Sequence, residues 1–312
     1  MKCEQFSFPS SDGKNSIVAY WFLPDETAPK GIVQVAHGMT DYALRYRRLA
    51  EQLTNAGFAV CADDHLGHGQ TAATPDDLGF FAESDGVGYV VDDLHALTLL
   101  AKQRFPNLPF FLLGHSMGSF LARLYATRFA FELDGLVILG TGGPNPLLPL
   151  GRFLARCVRR FRGPRYRSRF IARLAFSGYL SRCEKGAPKN AWITRDEEER
   201  RVYDNDPLCG FTFTVQAYLD LFDMVAESNA KEWFSAYPKE LRTLVASGTG
   251  DPVGGWGQGP TYVADTLKKA GVSHVDLYLY EGARHELFNE TNRDEFFADL
   301  VGWLNGAMAA EA

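Results

Sequence analysis

The sequence predicts a doubly wound α/β fold: a mostly parallel, eight-stranded sheet flanked by helices, with a helical segment inserted over one edge. Three observations carry this. Short, nearly continuous apolar runs recur at 32–36, 58–62, 110–113, 136–139, 244–246 and 275–280, and strands this apolar are buried on both faces, as in a parallel sheet. Helical stretches such as 46–56 and 90–103 separate most of them, which is the alternation of βαβ units. The length of 312 residues accommodates one large domain with an insertion, and a core of that size needs no staples.

Taken in order, residues 4–8 and 16–23 flank the turn-like Ser10-Ser11-Asp12-Gly13 and read as an opening antiparallel pair. The strand at 32–36 runs into His37-Gly38-Met39, and the strand at 58–62 into the polar loop "DDHLGH". The run at 110–113 stops at Gly114, and apolar residues at helical spacing (Phe120, Leu121, Leu124, Tyr125) begin just after. Between the strand ending near Gly140 and the one starting near Thr243 lie about a hundred residues, where a simple crossover needs a few tens. This stretch opens with Pro144, Pro146 and Pro149, continues with an arginine-rich segment and rejoins near Pro207. It divides the chain into a core, 1–143 and 213–312, and an inserted cap, 144–212. A cap there would cover the carboxyl ends of the strands, where open α/β sheets bind ligands.

Composition narrows the function classes. At 46% hydrophobic and 22% charged residues the chain is expected to be an ordinary soluble globular protein. A net charge of −6 leaves no basic footprint for nucleic acid. Five scattered cysteines without a C-x-x-C suggest neither a zinc knuckle nor a disulfide framework. The polar amino terminus carries no signal-peptide apolar region, and no run of about 18 apolar residues exists to span a membrane. A reducing cytoplasm is the expected compartment.

The stretch "GHSMGS" places Ser116 between Gly114 and Gly118, where a buried strand turns into a helix. G-x-S-x-G is weak by itself, and its context gives it meaning. The turn is sharp, side chains at the glycines would collide with neighbouring elements, and the serine is held with its hydroxyl above the sheet. The helix that follows aims its amino end at the same place, which favours negative charge there.

A serine hydroxyl needs a base, and the base an orienting carboxylate. Only His274 and His285 follow Ser116 in the chain. His274 precedes the strand at 275–280, at the wrong end of the sheet, whereas His285 follows it at the carboxyl end. Asp251 leaves the strand at 243–247 at that same end. Asp134 precedes its strand, and Asp220 and Asp223 sit in a helical pattern where solvation is expected. An oxyanion needs two backbone N–H donors, expected from Met117, after the nucleophile, and from Met39, in the loop where Gly38 permits close approach.

These residues carry a family resemblance. "VAHGM" (35–39), "DDHLGHGQT" (63–71), "GHSMGS" (114–119), "SGTGDPVG" (247–254) and "GARHELFNE" (282–290) span nearly the whole sheet domain in family order, and "NDPLCGFTFT" (205–214) looks like a stretch of the bacterial members. The chain resembles α/β-hydrolases of the monoacylglycerol lipase and lysophospholipase group. The resemblance implies the α/β-hydrolase fold, Ser116 as nucleophile, His285 as base and Asp251 as orienting acid. It places His37, Gly38, Gly114, His115 and Gly118 in the supporting loops, and implies a small-molecule or lipid ester as substrate.

Other readings weigh less. "DDHLGH" could be mistaken for a metal site, but a polar loop after a strand explains it, and no metal is expected. No G-x-x-x-x-G-K-[ST] or G-x-G-x-x-G occurs, so no phosphate cradle and no cofactor is expected. Residues 196–199, Asp-Glu-Glu-Glu, could anchor a peptide amino group, but an acidic helix start is the commoner explanation.

The leading expectation is a cofactor-free serine esterase working through an acyl-enzyme. A serine aminopeptidase or amidase on the same scaffold is the alternative, because the triad does not choose between ester and amide. A non-catalytic binding protein is a third reading, and it would be expected to lack a triad member. The ten arginines between Arg152 and Arg182, with no acidic residue among them, leave the rest of the chain at about −16. Around them Leu150, Phe153, Leu154, Cys157, Val158 and Phe161 recur at helical spacing. Such a helix can touch an anionic membrane peripherally, or it can bury its apolar face on the sheet domain while the arginines pair with acidic neighbours.

Overall fold

Each apolar run divides its side chains between two cores. Phe110 and Leu112 of the strand β5 (Phe110–His115) join one hydrophobic cluster, and Phe111 and Leu113 join the other. Ile32 and Ala36 separate in the same way from Val33 and Val35 on β3 (Gly31–Ala36). Period-two alternation is therefore present inside sequences that read as uniformly apolar, because both faces of the sheet are covered.

The computed structural model describes residues 1–309. The remaining strands are β1 (Lys2–Pro9), β2 (Ser16–Leu23), β4 (Phe58–Asp63), β6 (Gly135–Leu139), β7 (Arg242–Gly248) and β8 (Val275–Tyr280). They form one sheet of eight in the order β1-β2-β4-β3-β5-β6-β7-β8. β2 pairs antiparallel with β1 and β4, and every other neighbour is parallel. Helices α1 (Arg47–Asn55) and α10 (Arg293–Ala309) cover one face through Leu49, Leu53, Phe296, Leu300 and Leu304. Helices α2 (Gly86–Arg104), α3 (Met117–Phe129) and α9 (Gln258–Lys269) cover the other through Leu94, Leu121 and Val263. The eight strands, the mostly parallel sheet and the flanking helices agree with the fold expected from the sequence, with ends moved by a residue or two.

The segment between β6 and α7 (Val215–Ser228) contains α4 (Leu148–Arg162), α5 (Arg169–Ala175) and α6 (Glu197–Asn205); α8 (Lys231–Ala236) follows. Ser168 caps α5 by accepting from the Ile171 N–H, and Asp196 caps α6 by accepting from the Glu198 and Glu199 amides, so the acidic run at 196–199 is a helix start. Helix α4 meets α7 through small residues: a β carbon on Gly151 would lie 3.5 Å from the Phe222 ring, and Ala155 is buried. That close seating tilts the apolar pattern. Leu154 and Val158 are half-buried, while Leu150, Phe153 and Phe161 face solvent, Phe161 at 84% exposure.

Two aspartates expected to be solvated are not fully so. Asp220 is only 4% exposed and accepts a hydrogen bond from Gln216 one turn away at 2.9 Å. Burial pushes its carboxyl up to about 7. Asp223 is half-buried and pairs with Arg152 of α4 at 2.5 Å. Helix α7 is covered by α4, which the helical pattern of α7 alone does not reveal.

Candidate active site

The junction of β5 and α3 is sharp because two glycines let three backbones meet. A β carbon on Gly114 would run into the Gly118 carbonyl and stand 2.6 Å from the Ala122 β carbon; one on Gly118 would strike the Ala36 and His37 carbonyls. Ser116 between them has φ 56° and ψ −119°, a conformation that costs a serine about 1–3 kcal/mol. The neighbouring strand holds it there, since the Ser116 N–H donates to the Leu139 carbonyl at 2.9 Å. The side chain stands at the amino end of α3, partly exposed to a cavity of about 1070 Å³.

His285 enters the same cavity from the loop after β8. Its Nδ1 lies 2.9 Å from Oδ2 of Asp251, on the loop after β7. Asp251 is fully buried and is oriented by the Val253 N–H at 2.9 Å and the Ser247 hydroxyl at 3.3 Å. Burial pulls the imidazole towards neutrality, but the charge and hydrogen bond of Asp251 outweigh it, and the pKa of His285 ends above its ordinary value. Asp251 thereby fixes the proton on Nδ1 and leaves Nε2 as the basic nitrogen. Ser116 and His285 line one cavity without a direct hydrogen bond between them, as is common before a substrate tightens such a site. His274 lies at the amino end of β8 and is exposed.

The loop after β3 passes over the serine: a β carbon on Gly38 would lie 3.2 Å from that of Ser116. The N–H groups of Met39 and Met117 donate to no other group among the described residues, and both residues line the cavity. Next to Met39, Thr40 has φ 52°, strained for a β-branched residue. It is held by its N–H to Nε2 of His68 at 3.3 Å and its hydroxyl to Tyr203 of α6 at 3.0 Å.

The histidines of "VAHGM" and "DDHLGH" build this loop. Nδ1 of His37 donates to the Gly38 carbonyl at 2.8 Å, and its Nε2 accepts the His65 N–H at 3.0 Å. Nδ1 of His68 donates to the Leu66 carbonyl at 3.0 Å. The rings of His37 and His65 stack at 3.9 Å. Burial pushes His37 well down, and His68 to about 3, so both are neutral props. The stretch read as a polar loop is thus polar and buried.

Several residues of the site have no motif to announce them. The Tyr46 hydroxyl accepts the Gly38 N–H at 3.1 Å and reaches Nδ1 of His115 at 2.7 Å. His115 Nε2 in turn donates to the His285 carbonyl at 3.3 Å, and burial keeps His115 neutral. Arg45 ties Glu286 at 2.7 Å and Asp41 at 3.4 Å beside His285, beneath the Tyr203 ring. Trp192, from the 144–212 segment, packs on His285 with ring centres 5.1 Å apart. The Asp41 and Arg45 pair sits at i, i+4, a spacing that could have suggested it; Trp192 leaves no local signal.

The cavity has an apolar arm between α3, α4 and α7, walled by Phe120, Leu148, Tyr218, Leu221, Phe222 and Val225. Ser116 and His285 line the same cavity.

Residues 27–292 match the family described as serine aminopeptidase, S33. A monoacylglycerol lipase of Mycolicibacterium smegmatis is 26% identical over 96% of this chain and 96% of its own. A human monoglyceride lipase is 27% identical over 96% of this chain and 90% of its own. Among solved structures, a thermostable carboxyl esterase from Bacillus coagulans, in complex with glycerol, superposes with a TM-score of 0.91 at 31% identity, covering 98% of this chain and 99% of that one.

Proposed function

The chain belongs to the serine aminopeptidase S33 family of hydrolases, and from that premise we propose that it is a serine hydrolase of carboxylic esters whose substrates are of the monoacylglycerol or lysophospholipid type. The observation that carries this reading is the 2.9 Å His285–Asp251 bond, with His285 and a strained Ser116 lining one largely apolar cavity. In the proposed reaction Ser116 Oγ attacks the ester carbonyl while His285 Nε2 takes its proton. The Met39 and Met117 amides receive the developing oxyanion. The imidazolium, steadied by Asp251, returns the proton to the departing alcohol, leaving an acyl-enzyme. Water then attacks by the same route and releases the acid and Ser116.

Amide cleavage with an amino-terminal anchor is the weaker reading. The carboxylates that line the cavity, Asp41 and Glu286, are both held by Arg45, and the acidic start of α6 caps its helix or pairs with Arg48 and Arg293. A free carboxylate for an ammonium group is therefore lacking among the described cavity residues. A panel of acyl esters of rising chain length beside aminoacyl amides tests the ranking: esters are expected to be preferred, and faster turnover of the amides would reverse it.

Residues 144–212 act in this reading as a cap that roofs the cavity, with Trp192 over the base. The outer side of the cap carries Leu147, Leu150, Phe153, Phe161 and Phe170 in the open, among Arg156 and Arg160, which pair with no carboxylate among the described residues. Apolar anchors among free cations suit peripheral contact with an anionic lipid surface. Binding to anionic but not neutral vesicles at low salt is expected, and no binding to either would remove this part. No helix among the described residues is long and apolar enough to cross a membrane. Five free cysteines support the cytoplasm as the compartment.

A further inference from the structure

One face of α5 turns three kinds of side chain towards the cavity: Arg169, Ala172, Arg173 and Phe176, at i, i+3, i+4 and i+7, all line it. Lys189, farther along the same segment, lines it as well. All three cations are exposed, and none forms an ion pair or hydrogen bond with another group among the described residues. This arrangement is unfavourable by itself. Like charges at i, i+4 repel each other, and Arg169 stands in the first turn of α5, where the helix dipole disfavours a cation. Nothing in the fold compensates: α5 has no acidic residue in its first turn, and the cavity carboxylates Asp41 and Glu286 are taken by Arg45.

We propose that Arg169 and Arg173, with Lys189, form a subsite for an anionic group, phosphate or carboxylate, on the part of the ester outside the scissile bond. This rests on the reading of the cavity as an ester-hydrolysing site and names the substrate class it selects. Two arginines four residues apart can each give two N–H groups to one phosphate, which a neutral glycerol hydroxyl cannot use as well. The surrounding charge acts in the same direction. The chain outside 152–182 carries about −16, so an anionic ester is repelled elsewhere and drawn to this mouth. The apolar arm on the α4 and α7 side takes the acyl chain while the α5 side holds the charge.

The test uses short esters that stay monomeric, so that no lipid surface contributes: 1-hexanoylglycerol 3-phosphate, the hexanoyl ester of glycolate, and neutral 1-hexanoylglycerol. The phosphate ester is expected to be hydrolysed with a kcat/KM about tenfold or more above the neutral ester, mainly through KM and falling with added salt. The glycolate ester separates carboxylate from phosphate as the preferred group. Arg169→Gln with Arg173→Gln should bring the ratio of anionic to neutral kcat/KM close to one, and Arg169→Lys with Arg173→Lys should restore part of it. Arg128→Gln, a surface change on α3 where Arg128 pairs with Asp92, should leave the ratio as it is. Turnover of the neutral ester with no anionic preference, or a preference that survives the double glutamine variant, overturns the subsite and leaves the esterase reading standing. Turnover of none of the three overturns both.

Discussion

The Tyr46 hydroxyl lies 2.7 Å from Nδ1 of His115. Because the same hydroxyl accepts the Gly38 N–H and His115 donates to the His285 carbonyl, one buried tyrosine joins the loop beside Ser116 to the backbone of His285. Tyr46→Phe removes the junction and leaves the Gly38 N–H and the His115 nitrogen without partners. The expected cost is about 1–3 kcal/mol of stability, with kcat/KM lowered by about tenfold. Urea denaturation and steady-state kinetics check this, and wild-type values in both would show that the relay positions nothing.

The pH profile should report His285. Its pKa is raised because Asp251 outweighs burial. The base works when neutral, so kcat/KM should rise with pH along a limb that lies above the ordinary histidine value of about 6.5. Asp251→Asn leaves burial opposed only by the weaker pull of Glu286 and Asp41: the limb should move to lower pH while kcat falls by roughly 10³–10⁴-fold. The linked stability runs the opposite way. A raised histidine contributes stability that is fully present below its unfolded pKa and is lost as pH rises through the folded one. An unmoved limb in the Asp251→Asn enzyme would remove Asp251 from the role of orienting acid.

Asp41 should write its own pH dependence into folding. Burial raises it, Arg45 lowers it and Glu286 raises it again, to about 7. The native state therefore holds a proton that the unfolded chain releases near 4, and the contribution of Asp41 to stability should fall as pH rises from about 4 to 7. The difference in unfolding free energy between wild type and Asp41→Asn should shrink, or change sign in favour of the variant, across that window. A difference that grows with pH would contradict the arrangement.

Two glycines separate crowding from conformation. A β carbon at Gly118 would meet the Ala36 carbonyl, so Gly118→Ala should cost at least about 2 kcal/mol. Gly302, in α10, has nothing near its β-carbon position and ordinary helical geometry, so Gly302→Ala should add about 0.5–1 kcal/mol. Thermal unfolding of the two variants checks both signs.

What the sequence disclosed follows from how far each signal reaches. The strands were legible because burial on both faces forces apolar runs, and the turn at Ser116 because its two glycines sit beside it in the chain. Asp251 and His285 could be chosen by the end of the strand each one follows, which is a property of topology. Tyr46 and Trp192 were not legible, because each reaches a partner tens of residues away, and Arg45 was legible only in its i, i+4 spacing to Asp41, not in its pairing with Glu286. Asp220 was misread for the same reason: its carboxyl lies against Gly86 at the start of α2, far earlier in the chain. The face of α4 was also undetermined. Apolar spacing gives a stripe, but Gly151 and Ala155 decide which side seats against Phe222 and leave Phe153 and Phe161 outside.

The central claim is that Ser116 becomes acylated. Treating the protein with a fluorophosphonate probe, followed by intact-mass measurement and peptide mapping, tests it most directly. One adduct per chain, located on Ser116 and absent from Ser116→Ala together with roughly 10⁴–10⁶-fold of the turnover, is the predicted result. An adduct on another serine, or a Ser116→Ala protein that still labels and turns over ester, would contradict it.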